Sequence, residues 1–161
     1  MKTRLDLLED EIIDLYAAVS QVGEFFPQMA DVVESPELEA WLISQAELAD
    51  QQKISLQEIC ESLEIPTARA KSVTVERIFE RMDELLADDA EEGVYDAGLL
   101  SCAQRLGNHL IAGYRSARHI SVLNELEVTA ELFEGLLDEQ IEADVSLNEV
   151  SVRQIAPLLV A

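Results

Sequence analysis

The residues that break helices are scarce in this sequence. Six glycines and four prolines occur in 161 residues, and these two residue types punctuate strand-and-turn architectures. With a hydrophobic share of 48%, the chain is too apolar for disorder and suits long helices around one real core. Basic residues are also few, 11 against 33 acidic ones, and Lys2, Lys53 and Lys71 are the only lysines. A formal net charge of -22 repels nucleic-acid phosphates and anionic bilayers, so neither is expected as a partner. Solubility is the plain reading of that charge; a salty cytoplasm or a basic protein partner would suit it too. Long apolar runs are missing as well: none approaches the ~20 residues needed to span a bilayer. The opening Met-Lys-Thr-Arg-Leu-Asp runs into acidic residues without an apolar signal core, and a cytoplasmic location is expected. Cys60 and Cys102 lie in helix-patterned segments far from any C-x-x-C spacing, which favours two buried, reduced thiols over a disulfide.

Catalytic signatures are absent in the same way. There is no glycine-rich phosphate loop, no H-E-x-x-H and no G-x-S-x-G. His109 and His119, the only histidines, fall by helical phase at the edge or outside of their segment and read as surface residues.

What the chain does contain is amphipathic helical pattern. Leu5, Leu8, Ile12, Leu15, Val19, Val22 and Phe26 recur in steps of three and four, the stripe of a bundle helix over residues 1–30. Pro27 is expected to kink or stop it. A second helix over 35–64 opens on Ser35-Pro36-Glu37-Leu38, with Ser35 as N-cap, and closes at Ile65-Pro66. Its inward face reads Leu38, Trp41, Leu42, Gln45, Leu48, Ala49, Gln52, Leu56, Ile59 and Leu63. The connection that follows carries a shorter helix over 74–88, with Ile78, Phe79, Met82, Leu85 and Leu86 apolar. A connection of that length sets the helices on either side of it parallel. The third long helix (95–124) is lined by Leu99, Leu100, Ala103, Leu106, Gly107, Leu110, Ile111, Tyr114 and Ala117. The fourth (128–150) presents Leu132, Phe133, Leu136, Leu137, Gln140, Ile141, Asp144 and Leu147, and a tail over 151–161 is left unassigned.

Several of these stretches resemble one family in collinear order. They are Leu15-Tyr16-Ala17-Ala18, Phe26-Pro27-Gln28-Met29-Ala30, Ser35-Pro36-Glu37-Leu38, Asp96-Ala97-Gly98-Leu99 with Ala103-Gln104, Ile111-Ala112-Gly113-Tyr114, and Leu137-Asp138-Glu139 with Asp144. The set resembles the YciE/YciF-type ferritin-like proteins of bacteria across nearly the whole chain. That resemblance implies an all-α fold in one domain, residues 1–161: a ferritin-like four-helix bundle with a long crossover connection containing a short extra helix. It further implies a homodimer, an association with stress responses, and carboxylates inside the bundle that hold a metal pair.

Those carboxylates are where this sequence departs from the pattern. Val19 stands where the first helix should offer a glutamate. In the second helix the acidic pair has become Glu47-Leu48, and at ~100° per residue Leu48 lies on the inward stripe while Glu47 points away. Gly107 and Leu110 replace the two acids of the third long helix, and Glu139-Gln140 replaces an acidic pair in the fourth, with Gln140 central on the buried face. The change is physically coherent, because inward carboxylates repel one another unless a cation neutralises them. Gln45, Gln52, Gln104, Gln140 and Asp144 remain inward or nearly so. Cross-helix hydrogen bonds are expected among them, with room for a trapped water.

The expectation is therefore a non-enzymatic structural or interaction protein, with no catalytic, cofactor-binding or metal-binding residues and no cofactor. Two other classes compete with it. A residual metal protein of oxidase or iron-handling type would need Glu47, Asp50, Glu139, Glu142 and Asp144 to converge. An acidic module for a basic protein partner would need its charge concentrated on one side.

Overall fold

The computed structural model describes residues 2–68, 70–155 and 157; the end of the expected tail lies outside them. Five α-helices follow one another: α1 (Arg4–Ala30), α2 (Pro36–Ser62), α3 (Val73–Ala87), α4 (Val94–Leu123) and α5 (Glu127–Val150). A π-helical turn, Ser151–Ile155, continues α5. No strand occurs among the described residues.

The starts of α1, α2 and α3 have a local cause. Thr3 and Asp6 form a capping box on α1, and the Ser35 and Ser72 hydroxyls accept from Leu38 N and Val75 N at the starts of α2 and α3. Two stops are less expected. Glu64 and Glu125 adopt φ of 57° and 60°, and just beyond them Ile65 N and Leu126 N donate to Cys60 O and Ser121 O. Both are left-handed helix caps built on glutamate where glycine is the usual residue. Pro27, in turn, neither stops nor ends α1, which runs three residues further to Ala30. Proline forfeits one donor there, but the last turn has few bonds left to lose.

Side-chain contacts fix the arrangement. Phe26 meets Trp41 at 5.9 Å between ring centroids, and Lys53 sits 5.7 Å over the Tyr16 ring, so α1 and α2 are antiparallel. Asp14–His109 and Glu11–Ser116 pair α1 with α4 in opposite directions. Gln104–Asn148 and Arg118–Glu134 do so for α4 and α5, and Trp41–Ser146 and Gln52–Glu139 for α2 and α5. The ring order is α1, α2, α5, α4. Across its diagonal α2 and α4 run parallel, Ser35 meeting Asp96 and Gln52 meeting Tyr114. Helix α3 is the crossover that makes this possible. It lies outside the ring with Phe79 stacked on Phe25 at 4.1 Å and Leu85 against Gly98.

The core holds most of the apolar stripe, with corrections at its margins. Leu5 is 52% exposed because it sits in the first turn, beyond the packed part of the bundle. Leu132 and Ile141 flank the α5 stripe and are exposed, while the small Ala130 and Ala143 are buried in its place. Leu86, on the crossover helix, is also exposed.

Two glycines give opposite expectations. A Cβ at Gly113 would come 2.6 Å from Leu15 Cδ2, and Leu15 is fully buried with nowhere to retreat. Gly113→Ala should therefore cost about 1–3 kcal/mol in denaturant unfolding. At Gly135, exposed on α5 with nothing within 4 Å, alanine should add roughly 0.5–1 kcal/mol through helix propensity alone. Equal effects at the two positions would contradict the packing of α1 on α4.

Candidate functional site

The bundle centre is a small hollow of about 20 Å³ between the four long helices. Val22, Phe26, Leu106, Leu110 and Leu147 supply apolar wall; Gln45, Gln52, Gln140 and Asp144 are its polar members, beside Leu48 and Gly107. Of the five positions where the sequence departs from an acidic pattern, four line this space. The fifth, Val19, is fully buried in the surrounding core, and Val22, one turn on, faces the hollow.

One polar chain crosses the centre. Tyr114, fully buried on α4, donates to Gln52 Oε1 on α2 at 2.9 Å. Gln52 Nε2 donates in turn to Glu139 Oε2 on α5 at 3.3 Å. Burial, with the Glu139 charge nearby, pushes the Tyr114 phenol well above its ordinary range, so it acts as a neutral donor. The charge at the end of the chain reaches water, because Glu139 is exposed.

The acids that could serve a metal are distributed differently from a metal cage. Glu47, Asp50, Glu139 and Glu142 are exposed, and Asp144 alone, half-buried, reaches the hollow. Among the described residues, no three His, Cys, Asp or Glu side chains are grouped so as to hold a metal ion. Three amides and one carboxylate, without histidine, do not fit a di-metal centre of the bundle type, which needs several inward glutamates and histidines. The cysteines do not help: both are free and buried, and burial pushes the Cys60 thiol up to about 11 and Cys102 upward as well. Neither is a poised thiolate.

Two polar nodes escaped the sequence reading. His109 is not a surface residue: it is half-buried, and its Nε2 lies 2.8 Å from Asp14 Oδ2. Burial raises the Asp14 pKa, but hydrogen bonds from His109 and from Ser72, the α3 N-cap, with the His109 charge, outweigh it and leave Asp14 below its ordinary value. Next to it Glu11, whose hydroxyl donor is Ser116, is pushed upward by burial. His119 is exposed. The second node is Asp96, 1% exposed, whose two oxygens accept from Glu34 N and Ser35 N at 2.8 and 2.7 Å. Glu34 Oε2 returns the contact by accepting from Gly93 N at 3.3 Å. This exchange locks the starts of α2 and α4 together. Its partners lie about sixty residues apart in the chain, beyond the reach of any local pattern.

These features define a four-helix bundle with a crossover helix and an amide-lined centre. The chain matches the family described as a domain of unknown function, DUF892, over residues 3–157, and it belongs to that family. Its relatives include the protein YciF of Escherichia coli strain K12, 22% identical over 96% of this chain and 94% of that protein, as the YciE/YciF-type motifs implied. The crystal structure of the E. coli stress protein YciF superposes with a TM-score of 0.88 at 23% identity, covering 94% of this chain and 96% of that one. YcfI, titled a putative structural protein from Rhodopseudomonas palustris, gives 0.86 at 22% identity over 92% and 94%. A protein of Xanthomonas campestris pv. campestris gives 0.76 at 20% identity over 97% and 95%. At these identities the structural likeness is one of fold. No helix among the described residues is long and apolar enough to cross a membrane.

The Asp14 node has a pH signature. A carboxylate with a depressed folded pKa contributes stability that is present above its unfolded value, about 3.9, and is lost as pH falls through the folded pKa. Glu11, raised, works in the opposite sense and is left intact in the comparison. The stability gap between wild type and Asp14→Asn, followed by urea unfolding, should shrink as pH falls below about 4. A gap that stays constant or widens as pH falls from about 4 to about 2 would contradict the depressed Asp14 carboxylate.

Proposed function

We propose that this chain is a non-enzymatic structural or interaction protein, stress-related and homodimeric, on a ferritin-like scaffold whose centre does without metal. The observation that carries this reading is the lining of the bundle centre: Leu48, Gly107, Leu110 and Gln140 face a space that only one carboxylate, Asp144, reaches. Catalysis by a di-metal bundle needs inward ligands from all four helices, and α1, α2 and α4 offer none at the hollow. The buried cysteines supply no activated thiol, and the His109–Asp14 pair is tied up holding α1 to α4. Relatives named as a stress protein and as a putative structural protein support the same direction.

The iron-handling reading loses support from the outward placement of Glu47, Asp50, Glu139 and Glu142. An acidic module for a basic partner draws on the net charge of -22. Acids occur on every helix, which suits general solvation better than one docking face.

Anaerobic loading with ferrous iron, followed by desalting, metal analysis, exposure to air and an absorption spectrum, tests the proposal. Far less than one iron per chain and no oxo-bridge band are expected. Two irons per chain with that band would make the protein a metalloprotein of the di-metal class.

A further inference from the structure

The polar side chains of the hollow are unequally satisfied. Gln52 has both ends paired, to Tyr114 and to Glu139. Gln140 and Gln45 are only 6% and 9% exposed and line the hollow, and neither finds a hydrogen-bond partner among the described residues. Asp144 accepts from Asn148 through Oδ2, which leaves Oδ1 facing Gly107. Buried amides seldom stay unpaired, so this arrangement calls for an occupant.

Gly107 makes the room. A Cβ there would lie 3.7 Å from Gln140 Nε2 and 4.0 Å from Asp144 Oδ1, which is ordinary contact, so no clash demands glycine. Nor does the backbone, since Gly107 has no positive φ and a glycine weakens a mid-helix position. What its missing side chain achieves is a gap between one donor, Gln140 Nε2, and one acceptor, Asp144 Oδ1.

We infer that this gap is a binding site for one or two ordered water molecules, held by Gln140, Gln45 and Asp144 in the centre of the bundle. The size fits: the hollow measures about 20 Å³, and a water needs roughly 10–15 Å³ of such space. The chemistry fits too, because a ligand bridging an amide N–H and a carboxylate oxygen must both accept and donate. The hollow lies against the α2–α5 seam, where Gln45 and Leu48 also line an outer groove with Glu139 and Glu142. The inference rests on the metal-free reading of the centre and gives that centre its ligand.

A high-resolution crystal structure with anomalous data, together with oxygen-17 water relaxation dispersion on the full chain, tests it. The expected result is density within hydrogen-bond distance of Gln140 and Asp144, no anomalous signal, and long-lived water in solution. Gln140→Met and Gly107→Ala should each lower the long-lived signal by about tenfold in folded protein, while Gln57→Met, on an exposed face, should leave it unchanged. An anomalous metal peak would overturn both the water site and the metal-free reading. Absence of both density and long-lived water, without metal, would overturn the water site alone.

Discussion

The hydrogen bond from Tyr114 to Gln52 crosses the diagonal of the bundle, and the relation of the long helices to one another hangs on it. It joins two parallel helices that the crossover connection set diagonally across the bundle. Through Gln52 it reaches Glu139 and so fixes α5 against α2. A fully buried phenol needs a partner, and an amide provides one without bringing charge into the core. The polar centre thus specifies a register that the leucine-rich stripes alone would leave degenerate.

Charge is kept to places where it can be answered. Asp96 is buried, but it sits where two backbone N–H groups at the start of α2 point at it, the favourable end of a helix for an anion. Asp14 is answered by His109 and the cap of α3. Glu139 ends the central chain at the surface, where water screens it. An inward carboxylate at position 48, 107 or 110 would have no such answer unless a cation came with it.

The helical fold was legible because each long helix carries an apolar stripe and the start of the second is marked by Ser35. The departures from an acidic pattern could be named because the family resemblance implies where inward acids belong, and helical phase then separates Glu47 from Leu48 by a 100° step. Other features were beyond that method. Pro27 looked like a stop, but its cost depends on how many turns follow it. The left-handed caps at Glu64 and Glu125 carry no glycine to announce them. His109 and Asp96 were unreadable for a deeper reason: their roles depend on partners that only the folded topology brings near. Phase told that His109 lies at a helix edge, and the α1–α4 interface happens to run along that edge.

Amides hold the centre of this bundle together, Gln52 joining Tyr114 to Glu139 across it. A metal that bound the folded chain and not the unfolded one would raise its unfolding temperature by mass action. The most direct measurement is thermal unfolding of the full chain in chelator and then in excess ferrous, manganous or zinc ion. Midpoints within about 1 °C of one another are expected, given that even 1 kcal/mol of binding shifts a domain of this size by several times that. A metal-dependent rise of about 5 °C or more, abolished by chelator, would contradict a metal-free centre.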